Sequence, residues 1–181
     1  FNILMSFKKA DVFIATPAWV SYAPQAKLAG HNIIKLKTSF EERWRISPKT
    51  IRDTAKYKKS NVSIMIINYP GNPDGLTYSE EELKELAKVA KELNILVISD
   101  EIYGLLDHNL NHKSFANYYP EKTITTTGLS KWCGAGGWRF GAAFLYENIE
   151  PEFKQALIGI GSETYSCAPT PVQMAAKVAY K

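Results

Sequence analysis

Apolar and polar positions follow two rhythms along this chain. Val62-Ser63-Ile64-Met65-Ile66-Ile67 and Ile95-Leu96-Val97-Ile98-Ser99 are nearly unbroken apolar runs, the pattern of strands covered on both faces. Between them, Leu83, Leu86, Ala87, Ala90 and Leu93 recur at helical spacing and form one apolar stripe. Ser79-Glu80-Glu81-Glu82 heads that helix as a capping box, with Ser79 as cap and Glu82 reaching back. Glu80 and Lys84 add a favourable pair on its outer face, and Asn94 closes it. Residues 69–78 are rich in Gly, Pro, Asn and Asp and read as a loop. A β-loop-α-β unit of this kind predicts parallel strands joined by a right-handed crossover. Loop 69–78 and Asp100 then share the carboxyl edge of the sheet, where open α/β sheets bind ligands.

The flanks extend the same scheme. Strands are predicted at 11–16, 32–36, 123–127 and 139–146. Helices are predicted at 24–29, ending at Gly30, and at 151–160. Another opens at Ser47-Pro48, with Ser as cap and Pro at the first helical position. No internal repeat or low-complexity linker divides the chain, so residues 1–181 read as one α/β domain with a mostly parallel sheet. The start at Phe1 and the stop at Lys181, inside a helical pattern over 172–180, create the expectation of an internal piece of a longer protein.

Composition narrows the class. With 181 residues, 45% of them hydrophobic and 12% aromatic, the chain can bury a substantial core. The net charge of +4 is a mild excess. Its basic stretch, 49–59, includes Asp53 and reads as a solvated helix face rather than a nucleic-acid or membrane patch. Two cysteines, Cys133 and Cys167, make no disulfide framework and suit a reducing, cytoplasmic setting. No apolar run is long enough to span a bilayer and no signal peptide is visible. His108 and His112 lie in an Asn-rich loop, and neither they nor His31 form a metal-ligand pattern.

Candidate chemistry gathers on the predicted edge. Lys131 lies in the glycine-rich turn Gly128-Leu129-Ser130-Lys131-Trp132-Cys133-Gly134-Ala135-Gly136-Gly137-Trp138-Arg139-Phe140-Gly141, hemmed in by Leu129, Trp132, Cys133 and Trp138. Desolvation there would favour a neutral amine able to attack a carbonyl, where a solvated lysine would only snorkel. Asp100 ends a buried strand and needs a cationic or proton-donating partner unless it merely caps a short helix after it. Tyr103 is three residues on, one turn along a short helix starting there. Asn72 lies in Tyr69-Pro70-Gly71-Asn72-Pro73, where a turn former would also fit. Arg139 stands eight residues beyond Lys131, and Trp19 follows the first strand in Pro17-Ala18-Trp19-Val20-Ser21-Tyr22. Gly134-Ala135-Gly136-Gly137 lacks the spacing of a Walker or Rossmann phosphate loop.

Asn-Pro-x-Gly, then Asp-x-x-Tyr after a buried strand, then Ser-Lys followed by Gly-Trp-Arg-x-Gly, together resemble the class I/II aminotransferases. These are fold-type I enzymes that use pyridoxal 5′-phosphate (PLP), and the resemblance runs from about Asp11 to Tyr180. It implies a three-layer sandwich and identifies the chain with part of a large, PLP-binding domain. A preceding segment and a following small domain, which carries the arginine that grips the substrate carboxylate, would lie outside it. Lys131 matches the lysine that carries PLP as a Schiff base and shuttles the substrate proton. Asp100 matches the partner of the pyridinium nitrogen, which keeps the ring an electron sink. Tyr103 and Asn72 match the groups that hydrogen-bond the ring's phenolic oxygen, and Trp19 the aromatic stacked on the ring. Ser130 and Arg139 match the phosphate ligands. Gly128 departs from the Ser or Thr of many relatives and removes a phosphate contact. The implied reaction moves an amino group between an amino acid and a 2-oxo acid, in a homodimer when intact. A PLP-dependent lyase (carbon–sulfur or aminocyclopropane-carboxylate-synthase-like) would use the same residues, and a truncated chain without activity is the third reading.

Overall fold

The computed structural model describes residues 1–181. Six strands form one sheet: β1 (Asp11–Thr16), β2 (Asn32–Lys37), β3 (Ser63–Asn68), β4 (Leu96–Asp100), β5 (Thr123–Gly128) and β6 (Gly141–Leu145). Their spatial order is β2-β1-β3-β4-β5-β6. All neighbours are parallel except β5 and β6, which pair antiparallel with Gly128 opposite Gly141. The helices are α1 (Asn2–Met5), α2 (Tyr22–Leu28), α3 (Pro48–Ala55), α4 (Glu80–Glu92), α5 (Pro151–Thr164) and α6 (Thr170–Ala179).

The alternation within each apolar run divides the core into two layers. Phe13, Met65, Ile67 and Val97 point to one face, where Ile51 of α3 and Leu83, Leu86, Ala87 and Ala90 of α4 cover them. Val12, Ile14, Ile64, Ile66 and Ile98 point to the other and meet Ile3 and Leu4 of α1, Tyr22 and Ala26 of α2 and Phe153 of α5. The result is a helix–sheet–helix sandwich, as the two-faced strands require.

Local signals act where the sequence carries them. Ser79 accepts from the Glu82 amide at 3.2 Å, and Glu82 accepts from the Ser79 amide at 2.7 Å, closing the capping box. Ser47 caps α3 through the Thr50 amide at 3.1 Å, with Pro48 first in the helix. The Lys84–Glu80 pair forms at 2.8 Å.

Three elements differ from the sequence expectation. α2 begins at Tyr22, two residues early, and no side chain caps it. Gly30 follows it with φ +80°, the backbone that glycine adopts freely. No α-helix follows Asp100: a turn leads to a 3₁₀ helix at Gly104–Leu106. β6 starts at Gly141, because Arg139 takes a left-handed conformation (φ 56°, ψ 47°) that ends the glycine turn before pairing resumes.

Candidate active site

The carboxyl ends of β1, β3, β4 and β5 open into a cleft of about 470 Å³. All seven residues singled out from the sequence line it: Trp19, Asn72, Asp100, Tyr103, Ser130, Lys131 and Arg139. Parallel strands explain the convergence, since each ends at the same edge and delivers its following loop there. A larger groove of about 600 Å³ runs along edge strand β2, but Lys35, Lys37, Asp53 and Tyr57 on its walls assemble no comparable set.

Asp100 is the acid of the cleft. Its Oδ2 accepts a hydrogen bond of 2.6 Å from the Tyr22 hydroxyl, and its Oδ1 one of 3.3 Å from the Ile102 amide. Burial pushes its pKa above the ordinary carboxylate value, while the bonds from Tyr22 and Ile102 pull the other way. Burial, then the Asp100 charge, raise the Tyr22 phenol far above its usual range, so it remains a donor. Tyr22 is thus the proton-donating partner that the position of Asp100 demanded. It stands three residues after Trp19, whose ring meets it edge-on at 5.2 Å between centroids. The pairing is not legible in the sequence, because the two residues are 78 positions apart.

Asn72 is held by its loop. Its amide donates to the Asn68 Oδ1 at 2.8 Å, and Asn68 Nδ2 donates to the Asp100 carbonyl at 2.9 Å. A buried Arg45–Asp74 ion pair at 3.0 Å, with the Arg45 guanidinium 4.6 Å over the Tyr78 ring, pins the same loop from outside. Asn72 Nδ2 then lies 3.5 Å from the Tyr103 hydroxyl. Lys131 Nζ is 5.9 Å from the centre of the Tyr103 ring.

Lys131 corrects the sequence expectation: its side chain is exposed, not enclosed. Of its apolar neighbours in sequence only Leu129 is buried, at 1% exposure. Trp132 turns away to pack on Tyr180, just after α6, at 5.3 Å, Cys133 is exposed and Trp138 is 55% exposed. Arg139 is also exposed, its Nη1 donating to the Gly136 carbonyl at 2.6 Å. The cleft therefore has a half-buried acid on its floor, an aromatic face at Trp19 and two cations with the Ser130 hydroxyl at its rim. That donor set fits a flat, nitrogen-containing aromatic ring bearing an anionic group.

Beside it, sequence reasoning missed the pairing of Glu101 with His112. Glu101 is buried and accepts from the Ser99 and Ser114 hydroxyls, both at 2.8 Å, and pairs with His112 Nε2 at 2.8 Å. Burial pushes its pKa up, but the bonds from His112, Ser99 and Ser114 outweigh it and hold the group below the usual value. A charged residue directly after Asp100 is the only signal, and it does not distinguish a buried glutamate from a surface one.

The family model for "Aminotransferase class I and II" matches residues 1–181. The chain belongs to the class I and II aminotransferases. An aspartate aminotransferase of Bacillus sp. (strain YM-2) is 37% identical over 174 residues, covering 94% of this chain and 43% of the relative. An aspartate aminotransferase of Bacillus subtilis (strain 168) is 34% identical, covering 99% and 45%. Among solved structures, an aromatic aminotransferase from Pyrococcus horikoshii OT3 superposes with a TM-score of 0.87 at 31% identity, covering 99% of this chain and 48% of that one. The chain thus spans a little under half the length of these relatives, and the α/β fold is shared with the solved structure. Within the chain, no helix is long and apolar enough to cross a membrane.

Proposed function

We propose that this chain carries the cofactor site of a PLP-dependent aminotransferase that moves an amino group between an amino acid and a 2-oxo acid. The observation that carries the reading is a half-buried Asp100, fixed by Tyr22, on the floor of a cleft whose rim holds Lys131 and Arg139. Bound there, PLP supplies an electron sink for the charge left when the substrate loses its α-proton.

The residues divide the work by position. Asp100 holds a proton on the ring nitrogen, and a cation beside it would draw its raised pKa down again. Trp19 offers the ring a face. Asn72 Nδ2 and the Tyr103 hydroxyl serve the phenolic oxygen, 3.5 Å from each other and so able to meet one acceptor. Ser130 and the forked guanidinium of Arg139 bind the phosphate. Lys131 Nζ would hold the cofactor covalently and, as a free amine, would serve as the general base for the substrate's α-proton. Residues 1–181 read as part of the large domain of a longer, dimeric enzyme, and two free cysteines suit the cytoplasm.

The test combines labelling with product analysis. The chain is mixed with PLP, the visible band recorded, the sample reduced with borohydride and the modified peptide mapped. Label on Lys131, lost in Lys131→Ala, is the expected result. Label on another lysine would overturn the site. In the longer protein, an amino acid should yield its 2-oxo acid only when a second 2-oxo acid is supplied. Ammonia or an eliminated group released without that acceptor would make it a lyase instead.

A further inference from the structure

The hydroxyl of Tyr103 has one hydrogen bond, and it is long, 3.5 Å from Asn72. Its position must come from its backbone. Glu101, two residues before, is tied across fourteen positions: Oε1 accepts from the Phe115 amide at 3.2 Å as well as from Ser114. Gly104, one residue after, lies against the imidazole of His112 so closely that a Cβ there would stand 2.8 Å from His112 Cδ2. The same imidazole reaches Glu101 Oε2 at 2.8 Å through Nε2, and it packs on Tyr69 with 5.1 Å between ring centres. Tyr69 in turn donates to the Lys113 carbonyl at 3.0 Å and to Glu101 at 3.3 Å. One side chain therefore touches the chain on both sides of Tyr103.

We propose that His112, clamped between Glu101 and Gly104, is a positioning residue that fixes Tyr103 in the cofactor cleft. His112 reaches neither substrate nor cofactor; it acts through the backbone of 101–104. Glu101 supplies the anchor, and its several donors make that anchor stiff. Gly104 is the residue that lets the ring approach, since any Cβ would displace it. The Glu101 cluster also ties β4 to the 114–115 segment and so supports the fold, while His112 is the member that reaches both sides of Tyr103. The role of Tyr103 rests on the proposed cofactor site, while the clamp itself does not.

Hydrogen exchange on the protein without added PLP tests the clamp, and PLP titration tests its consequence. His112→Ala should speed exchange at the Gly104 and Leu106 amides at least tenfold and leave β4 and β5 unchanged. It should weaken PLP binding several-fold, and His112→Gln, which keeps a donor near Nε2, should restore both. In a Tyr103→Phe background, His112→Ala should weaken PLP binding no further. Gly104→Ala, which moves the ring without removing it, should reproduce the local loosening if His112→Ala does not fold. Unchanged exchange at 104 and 106, or an equal loss of PLP affinity with and without the Tyr103 hydroxyl, would overturn the proposal. If the unaltered protein takes up no PLP, the cofactor reading fails, and the exchange result still stands on its own.

Discussion

Asp100 and Glu101 are chain neighbours at the end of β4, and their surroundings push them in opposite directions. Burial raises Asp100 above its ordinary value of 3.8 despite the bonds from Tyr22 and Ile102. Glu101 is held below 4.5, because its bonds from His112, Ser99 and Ser114 overcome the burial that would raise it. The folded chain binds a proton at Asp100 more readily than the unfolded one, so stability falls as pH rises through the window above 3.8 and stays lower beyond it. Glu101 contributes stability that is present above 4.5 and lost as pH falls through its lowered value. Asp100→Asn should therefore raise the urea midpoint of the PLP-free chain at neutral pH, with the gain vanishing in acid, while abolishing the function proposed for it. Glu101→Gln should lower stability by about 1.5–3 kcal/mol at neutral pH, the range for hydrogen bonds to a charged group. Equal signs for the two variants would refute this account. That the candidate residues share one edge was legible, because each follows its own strand. The partners of those residues were not legible. Tyr22 meets Asp100 across 78 positions, and His112 meets Glu101 only because a loop folds back; periodicity carries no information on either.

At the scale of elements, the signals confined to a few neighbouring residues were readable: the capping box of α4, the Ser47-Pro48 start of α3 and the two-faced apolar runs of β3 and β4. Elements whose limits depend on a distant partner were not. The first residue of α2, Tyr22, is the one that reaches Asp100, and the direction of β6 follows from its pairing with β5. That pairing also gives Gly128 a reason. A Cβ at Gly128 would stand 2.6 Å from the Phe140 carbonyl oxygen and 3.3 Å from Gly141 Cα, both backbone atoms that cannot swing aside. A side chain at this point is therefore excluded by the close approach of the chain entering β6. Gly128→Ser should cost roughly 1–3 kcal/mol in a denaturant titration, the usual penalty of overpacking. It should weaken PLP binding as well, because the β5–β6 turn carries Ser130, Lys131 and Arg139. A variant of unchanged stability with tighter PLP binding would show that the strands can separate without penalty.

Across the whole molecule, cohesion is uneven. The face covered by α3 and α4 holds the larger cluster, with Phe13, Leu36, Met65 and Leu86 almost fully buried. The C-terminal third is thinner: α5 buries only Phe153 and Gly161, and α6 only Ala176. Ile158, Met174 and Val178 are 63%, 61% and 71% exposed, so most of the apolar surface of these helices contributes no burial energy. The two sheet edges differ in the same sense. Edge strand β2 carries exposed Lys35 and Lys37, charges that protect an open edge, whereas β6 exposes Phe144 at 58% and has no charge along its length. Regions with few buried contacts open first. Amides of α5 and α6 should therefore exchange at least tenfold faster than those of β1, β3 and β4, with the contrast largest in the 181-residue chain by itself. The expected order runs from α6 through α5 to β6, and finally to the parallel strands. Uniform protection across 11–179 would mean that the sandwich opens as one cooperative unit and that the exposed helix faces cost it nothing. The ordering also bears on the candidate cleft: Trp132 packs on Tyr180, the residue that ends α6, so fraying of that helix frees the residue next to Lys131. Labelling at Lys131 should then be slower to reach completion than PLP association itself, and stabilising α6 should bring the two rates together.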